Sequence, residues 1–218
     1  MAYRRYASQT SGARVLDAGC GTGGLLARLD GPQSAVGIDA DAEACTRAAA
    51  KSGCPVCAGS VDALPFAEAA FTAILTADVL CHRGVDERRA LAQFHRCLGA
   101  GGILVLNLPA YRWMMSRHDA AVYNVRRYTK RGVVALLRAA GFRPLFVSYW
   151  NMLLFPLMVL TRKLLPGGGS DVHEQPGWVE AIGRAATGTE RLLIGAGITL
   201  PFGGSVLAVA AKIESGHA

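Results

Sequence analysis

Acidic residues are scarce in this sequence. Asp and Glu together number 16 against 23 Lys and Arg, so the formal net charge is +7, and charged residues of both signs make up only 18% of the 218 residues. Apolar residues make up 51% of the chain, and this balance excludes an intrinsically disordered protein. The basic excess favours an acidic partner, such as a carboxylate substrate, an anionic lipid or a nucleic acid, without deciding among them.

Long apolar runs are also missing. The most apolar stretch, 149–165, contains Pro156, Arg162 and Lys163 and is too short to span a bilayer. We therefore expect no transmembrane segment. The stretch either walls a hydrophobic acceptor pocket, which we favour, or lies on a membrane surface as a peripheral contact. No apolar segment of the signal-peptide type precedes the first predicted strand, so we expect a cytoplasmic protein.

The cysteines do not supply a complete set of metal ligands. Cys54 and Cys57 have the spacing of half a zinc site, but no second pair follows at a suitable distance. We therefore predict that the six cysteines are reduced thiols of a cytoplasmic protein and that the chain holds no metal ion.

What the sequence does contain is an alternation of short apolar runs with helical patterns, which is typical of βα units around a parallel sheet. We predict a single α/β domain over residues 1–218. The predicted strands are 14–17, 35–39, 55–60, 71–76, 103–108, 142–149 and 205–213, the predicted helices are 23–29, 41–52, 86–98 and 130–140, and a turn is predicted at 99–102.

Two long connections interrupt this alternation, and we call them the first insertion (109–128) and the second insertion (151–204). Long connections in compact domains usually form lids or binding elements. These two follow the fifth and sixth predicted strands, and open α/β sheets bind ligands at the carboxyl ends of their strands. We therefore expect both insertions to form helical lids that cover the substrate site.

A glycine-rich turn, LDAGCGTGG at 16–24, lies between the first predicted strand and the first predicted helix. Glycines at such a turn let the backbone approach a nucleotide-type ligand closely. Asp39, at the end of the second strand, is placed to accept the ribose hydroxyls of an adenosine group; the alternative is that it caps the next helix, for which Asp41 is equally placed. Asp62 is placed to accept the adenine amine, and Asp17 to accept a hydrogen bond from an ammonium group.

The sequence blocks LDAGCGTGG, VGIDAD, GSVDALPF, FTAILTADVL and LAQFHRCLGAGGILVLNLP resemble the class I S-adenosylmethionine-dependent methyltransferases. The resemblance is closest to the type 11, or ubiquinone-biosynthesis-like, group and covers roughly residues 12–150. Segments HD and RRYT, together with LLFP, resemble a smaller bacterial subgroup. The resemblance implies a Rossmann-like seven-stranded, mostly parallel sheet with helices on both faces. It also implies S-adenosylmethionine as cofactor and S-adenosylhomocysteine as product.

By the same resemblance, one set of residues is expected to contact the cofactor. The glycines line its methionine side, Asp39 holds the ribose, Asp62 and Ala63 hold the adenine, and Ala77 faces the methionine ammonium. The full expected set is Asp17, Gly19, Cys20, Gly21, Gly23, Asp39, Ala40, Val61, Asp62, Ala63 and Ala77.

Histidines are the candidate catalytic residues. The methyl group of the sulfonium is already activated, so the protein must align an acceptor and, where necessary, remove its proton, for which histidine is the usual base near neutral pH. His82 follows the fourth strand, where the methyl group is expected to emerge. His118, with Asp119, is the second candidate in the first insertion. For each histidine a structural role stays open.

The candidate acceptor contacts lie in the first insertion and just before the second, and they are Tyr111, Trp113, Tyr123, Arg127, Tyr128 and Trp150. The aromatic side chains either line a pocket or pack the lid onto the core. Arg126 and Arg127 have three interpretations. They recognise a substrate carboxylate or phosphate, they anchor the insertion through salt bridges, or they lie at a solvated helix start.

We expect methyl transfer to a small-molecule or lipid-like acceptor, with a hydroxyl as the favoured group. The alternative is another reaction of the same cofactor, such as its intramolecular cyclisation. Nucleic acid is disfavoured as a substrate, because Thr76-Ala77-Asp78-Val79 is not the Asn/Asp-Pro-Pro-aromatic motif of enzymes that methylate base amino groups. A nicotinamide oxidoreductase is disfavoured because Asp17 and Asp62 would have no purpose there. The oligomeric state stays open.

Overall fold

Seven strands form one sheet in the order β3-β2-β1-β4-β5-β7-β6. The computed structural model describes residues 14–29, 34–164 and 177–213. Strands β1 to β5 pair in parallel, while β7 is antiparallel to both β5 and β6. The strands are β1 (Val15–Ala18), β2 (Ala35–Asp39), β3 (Val56–Ala58), β4 (Phe71–Ala77), β5 (Leu98–Pro109), β6 (Phe142–Trp150) and β7 (Ser205–Lys212). The predicted Rossmann-like, mostly parallel sheet is thus confirmed.

Six α-helices accompany the described strands. They are α1 (Ala42–Ser52), α2 (Glu87–Cys97), α3 (Arg117–Ala121), α4 (Lys130–Ala139), α5 (Phe155–Leu164) and α6 (Gly177–Gly195). Asp41 caps α1 by accepting hydrogen bonds from the backbone amides of Glu43 and Ala44, so this task does not fall to Asp39. Among the described helices, none has the length and apolar character needed to cross a membrane.

The sheet is buried on both faces, as expected for parallel strands. Successive residues of β1 show this: Val15 packs with Leu26 and Leu29 on one face, while Leu16 belongs to a larger cluster on the other face. That larger cluster includes Leu91 and Phe94, which α2 buries completely. Layers on both faces therefore fix the sheet edge at which the strands end.

Two local predictions need correction. The helix predicted at 23–29 is a turn followed by a single 3₁₀ turn, Leu26–Arg28, because Gly23 adopts a left-handed backbone with φ of +79°. The turn predicted at 99–102 lies inside β5 as an irregularity. There Phe71 pairs with Leu98 and Ala73 pairs with Ile103, so the intervening glycines bulge out of register.

Both insertions leave the sheet at the edge where β1 and β4 also end. Pro109, at the end of β5, and Trp150, at the end of β6, both pair with Ser205 at the start of β7. The first insertion contains α3, and the second insertion contains α5 and α6. Residues 165–176 of the second insertion lie outside the described residues.

Candidate cofactor and acceptor site

The glycine loop that follows β1 has a backbone that excludes larger residues. Gly19, Gly21 and Gly23 have φ values of +79°, +50° and +79°. A Cβ atom on Gly19 would lie 2.1 Å from Cγ2 of Val79, and one on Gly23 would lie 2.8 Å from the backbone of Ala48. The loop therefore packs between Val79, in the turn after β4, and helix α1. Its glycine backbone stays open to close approach by a ligand.

The Asp39 carboxylate is fixed beside this loop. Its Oδ2 accepts a hydrogen bond of 2.8 Å from the Gly21 amide, and its Oδ1 accepts one of 3.0 Å from the Asp41 amide. Each carboxylate oxygen has a second acceptor position left for a ligand hydroxyl. Ala40, which follows Asp39, is exposed at the same place.

Asp17 is a buried carboxylate that lacks a full set of partners. Only 2% of its surface is exposed, and among the described residues no group donates a hydrogen bond to its Oδ2. Burial raises the pKa of Asp17 to about 7, against a lowering by the Leu26 amide and with a further rise from the Asp39 charge. Such a carboxylate lacks a cationic donor, and the ammonium of a bound amino acid group supplies one.

The loop after β3 contains a second carboxylate, that of Asp62, whose hydrogen bonding is incomplete. Oδ2 of Asp62 accepts a hydrogen bond of 3.1 Å from the Asp86 amide, while buried Oδ1 has no partner among the described residues. Val61 is buried and Ala63 is exposed on either side of it. Gly59 ties this loop to β2, because its amide donates a 2.8 Å hydrogen bond to the Asp39 carbonyl.

The structure thus gathers most of the predicted cofactor residues around the ends of β1, β2 and β3. Cys20 is buried there, and burial with the nearby charges of Asp17 and Asp39 raises the pKa of its thiol to about 12, which keeps it neutral. Ala77 is exposed at the end of β4, the next strand of the sheet. The glycine cradle and two orphaned carboxylate oxygens fit an adenosyl amino acid such as S-adenosylmethionine.

Asp78, which follows β4, is a site residue that the sequence analysis missed. Its backbone is left-handed with φ of +57°, and its Oδ2 accepts a 3.4 Å hydrogen bond from the Asn107 amide group. Part of Asp78 is exposed to solvent, while neighbouring protein atoms bury much of its carboxylate. This burial raises its pKa, against opposing effects of Asn107, His82 and Arg127. Asp is one of the few residue types that adopt this backbone readily, and that is the signal in the sequence.

His82 is half-buried in the same turn. Its amide donates a 3.0 Å hydrogen bond to the Val79 carbonyl, and it forms an antiparallel bridge with Asn124. Its carbonyl accepts a 2.8 Å hydrogen bond from Nη1 of Arg126. The first insertion therefore holds the turn after β4 in place, with His82 close enough to Asp78 to affect its pKa.

Asp119 and Arg127 form a buried ion pair. Nη2 and Nε of Arg127 donate hydrogen bonds of 2.7 and 3.0 Å to Oδ1 of Asp119, and the two side chains are 4% and 1% exposed. Ser116 donates to Oδ2 of Asp119, and Nη1 of Arg127 donates to the Ala110 carbonyl. This geometry favours the anchoring alternative for both residues, because their side chains are engaged in holding the first insertion.

Tyr128 is engaged in the same way. Its hydroxyl lies 2.9 Å from a carboxylate oxygen of Glu87 and 3.0 Å from the Leu80 carbonyl, and burial followed by the Glu87 hydrogen bond raises its pKa. This anchoring favours the alternative in which Tyr128 packs the first insertion onto the core. His118 lies on α3, but its side chain is outside the described part of the chain.

An aromatic cluster lies over the ends of β5, β6 and β7. Tyr111 stacks on Trp113 and on Tyr149, with ring centroids 5.7 and 5.0 Å apart. Phe155 of α5 contacts both Tyr111 and Trp113, and it lies 5.9 Å from Phe202. The cluster consists of Tyr111, Trp113, Tyr149, Phe155 and Phe202, of which the sequence analysis found only the first two.

Tyr123 and Trp150, which were also predicted to contact the acceptor, make none of the ring contacts described for this cluster. Trp150 is half-buried, and its carbonyl would lie 2.3 Å from a Cβ atom on Gly203, so its backbone is packed against the return of the second insertion. Tyr123 is 70% exposed. Since neighbouring strands lie about 4.8 Å apart, the strands below the aromatic cluster are two to four spacings, roughly 10–20 Å, from β1 and its glycine loop.

Residues 16–106 match the family described as "Methyltransferase domain". This match covers β1 to β5 with the glycine loop, Asp39, Asp62 and Asp78, and it ends before both insertions. No curated protein matches the chain.

Several solved structures share the fold. A SAM-dependent methyltransferase from Thermotoga maritima is 18% identical, with 97% of this chain and 87% of that chain covered and a TM-score of 0.60. Geranyl diphosphate C-methyltransferase from Streptomyces coelicolor A3(2), in complex with S-adenosyl-L-homocysteine, is 15% identical over 97% and 75% of the chains, with a TM-score of 0.59. The cyclase SpnF is 22% identical over 97% and 79%, with a TM-score of 0.62.

Proposed function

We propose that this chain, which matches a methyltransferase domain over residues 16–106, is a class I S-adenosylmethionine-dependent methyltransferase that methylates a hydroxyl group of a small, extended and largely apolar acceptor. The contact between Gly19 and Val79 carries this proposal. It places the turn with Asp78 and His82 directly beside the glycine loop.

The cofactor-binding residues follow from the incomplete hydrogen bonding of the site. Asp17 accepts from the ammonium of the cofactor, because its buried Oδ2 has no donor within the described chain. Asp39 accepts from the ribose hydroxyls, and Asp62 accepts from the adenine amine through its orphaned Oδ1. When bound, S-adenosylmethionine supplies a methyl group that is already activated for transfer by its sulfonium.

His82 is the proposed base, and Asp78 is the charged group that acts on it. His82 accepts the hydroxyl proton as the acceptor oxygen bonds to the methyl carbon, and the electrons of the broken sulfur–carbon bond return to sulfur. Asp78 stabilises the resulting imidazolium by its charge. Proton removal of this kind typically contributes about 10²- to 10⁴-fold in rate.

The aromatic cluster supports an extended, lipid-like acceptor. By strand spacing, the strands below its rings are one to three strands, roughly 5–15 Å, from β4, the strand before the turn with His82. An acceptor with its hydroxyl at His82 therefore needs an apolar portion of that length to reach Tyr111 and Phe155. Aromatic rings offer a large apolar contact area for such a portion. The six free thiols of the chain suit the reducing cytoplasm as its compartment.

Product analysis tests the proposal. The protein is incubated with S-adenosylmethionine that carries a labelled methyl group and with an organic extract of its source cells. We expect the label in an organic-soluble methyl ether, with one S-adenosylhomocysteine formed per methyl transferred. Label that stays in a product derived from the cofactor alone would contradict methyl transfer and favour intramolecular cyclisation. Label in an amine or in a water-soluble product would contradict the acceptor class.

A further inference from the structure

Exposed apolar side chains are concentrated on the two insertions. Of the twelve large hydrophobic side chains that are exposed among the described residues, four lie in the first insertion and six in the second. The remaining two, Leu145 and Ile213, lie on β6 and just after β7. The two insertions that contribute to the proposed acceptor site therefore also expose most of the apolar surface.

Helix α5 is apolar on opposite faces. Phe155 points into the aromatic cluster, as its ring contacts with Tyr111 and Trp113 show. Leu157 and Leu160 lie on the opposite side of the helix by their spacing, and they are 54% and 49% exposed. Leu153, in the turn just before α5, is 49% exposed. A helix that is apolar on two opposite faces has a second apolar face available for contact besides the one packed on its own protein. We call Leu153, Leu157 and Leu160 the lid face.

The exposed charges that the structure describes on the two insertions have one sign. Among insertion residues whose side chains the structure describes, the exposed charged groups are all arginines, namely Arg112, Arg117 and Arg191. The acidic side chains described there, Asp119 and Glu190, are 1% and 0% exposed. Exposed leucines together with arginines fit a surface that is apolar inside and negatively charged at its boundary.

We propose that the lid face docks on an anionic lipid bilayer, with its leucines at the acyl boundary and the arginines at the phosphates. A second copy of the chain suits this surface less well, because a two-fold contact would bring like-charged arginines together. As far as it concerns the acceptor, the inference rests on the proposed function: an apolar acceptor passes from the bilayer along α5 to the aromatic cluster.

Vesicle sedimentation tests the docking without measuring methyl transfer. The full chain is spun with phosphatidylcholine vesicles that contain about 30 mol % phosphatidylglycerol, and with pure phosphatidylcholine vesicles. We expect binding to the anionic vesicles that weakens at high salt and in the double variant Arg112→Gln/Arg117→Gln. Leu157→Glu and Leu160→Glu are expected to lower the partition at least about tenfold. Leu145→Glu, a matched change on β6, is expected to leave it unchanged.

Each variant is first titrated with S-adenosylhomocysteine, and an unchanged affinity shows that it is folded. Equal sedimentation of the parent, Leu157→Glu and Leu145→Glu would overturn the proposal, as would equal binding to neutral and anionic vesicles. A concentration-dependent dimer in light scattering that Leu157→Glu abolishes, without vesicle binding by the parent, would assign the lid face to a second copy instead. Docking without any methylated product would leave the lid face in place and contradict only the proposed function.

Discussion

The Asp39 carboxylate accepts a 2.8 Å hydrogen bond from the backbone amide of Gly21, which lies 18 residues earlier in the chain. The bond joins the end of β2 to the glycine loop after β1. It gives Asp39 two tasks, which are to hold the loop and to offer its remaining acceptor positions to a ribose. A substitution there removes both contributions.

Asp39→Ala is expected to weaken S-adenosylhomocysteine binding by about 2–4 kcal/mol, because charge-assisted hydrogen bonds to the ribose are lost. Asp41→Ala is the matched control. It removes the N-cap of α1 and costs about 1 kcal/mol of stability, but it leaves the affinity nearly intact. Calorimetric titration checks both, and an Asp39→Ala variant with the parent's affinity would refute the assignment.

Asp17 is expected to couple cofactor binding to proton release. Its pKa of about 7 falls when an ammonium pairs with it, so the parent protein releases a proton on binding S-adenosylhomocysteine near pH 6.5, and its affinity weakens further in acid. Asp17→Asn keeps the shape but cannot release this proton. Titration in two buffers of different ionisation enthalpy measures the number of protons, and equal numbers for the two proteins would rule out this coupling.

In the protein without cofactor, ionisation of Asp17 lowers the stability of the fold. Because the folded pKa of Asp17 lies above its ordinary value of 3.8, the folded state holds the extra proton, and stability is lost as pH rises from about 4 to about 7. We therefore expect cofactor-free Asp17→Asn to be more stable than the parent at pH 8, by a few kcal/mol on the order expected for such a shift. Denaturant unfolding at pH 8 makes the comparison, and a less stable variant would contradict it.

Gly19→Ala is expected to destabilise the protein by about 2–5 kcal/mol, because it adds backbone strain at positive φ to a steric clash with Val79. Gly21→Ala is the control, since its φ is also positive but no atom lies within 4 Å of the added Cβ, and we expect about 1–2 kcal/mol. Val79→Ala, combined with Gly19→Ala, is expected to restore part of the loss. Equal unfolding midpoints for the two alanine variants would show that the clash has no effect.

The buried pair of Asp119 and Arg127 is expected to stabilise the first insertion. Burial opposes ionisation of Asp119, but hydrogen bonds from Arg127 and Ser116 hold its pKa below the ordinary value of 3.8. Its contribution is therefore complete above about pH 4 and is lost as the pH falls through the folded pKa. Arg127→Met leaves the carboxylate buried without its partner and should cost about 3–5 kcal/mol at pH 7.

The exposed ion pair of Glu43 and Arg47 on α1 provides the comparison for that prediction. Glu43→Gln is expected to cost no more than about 0.5 kcal/mol. Denaturant unfolding at pH 7 measures both variants. A loss for Arg127→Met as small as that for Glu43→Gln would mean that the buried pair does not anchor the insertion.

His82→Ala is expected to lower turnover on the acceptor by about 10²- to 10⁴-fold while leaving S-adenosylhomocysteine affinity nearly unchanged. Asp78→Asn should lower turnover by a smaller factor than His82→Ala does, because only the charge that stabilises the protonated histidine is gone. His82→Gln tests whether a hydrogen bond alone suffices. Parent-like rates for both His82 variants would make the residue structural and leave His118 as the candidate base.

Sequence patterns predicted the parts of this molecule that depend on local chemistry. The strands follow from short apolar runs, and Asp41 and the glycine loop follow from cap and turn preferences. The prediction of a helix that starts at Gly23 was wrong for a local reason too. Gly23 has a left-handed backbone, which glycine adopts readily and which a helical pattern in the sequence does not reveal.

The acceptor side depends on contacts between distant segments, and a single sequence does not contain them in readable form. Tyr149 and Phe202 come from β6 and the second insertion, and they join Tyr111 only when the sheet brings those strand ends together. The burial of Asp119 likewise depends on Arg127 folding back over it. An adjacent His-Asp pair with nearby arginines looks the same in sequence whether it binds substrate or anchors a loop.

A crystal structure of the protein with S-adenosylhomocysteine tests the central claim most directly. We expect the ammonium within hydrogen-bond distance of Oδ2 of Asp17, the ribose hydroxyls on Asp39, the adenine amine on Oδ1 of Asp62, and the sulfur facing the turn with Asp78 and His82. A ligand bound away from the glycine loop, or one that leaves the Asp17 and Asp62 oxygens without a donor, would contradict the account.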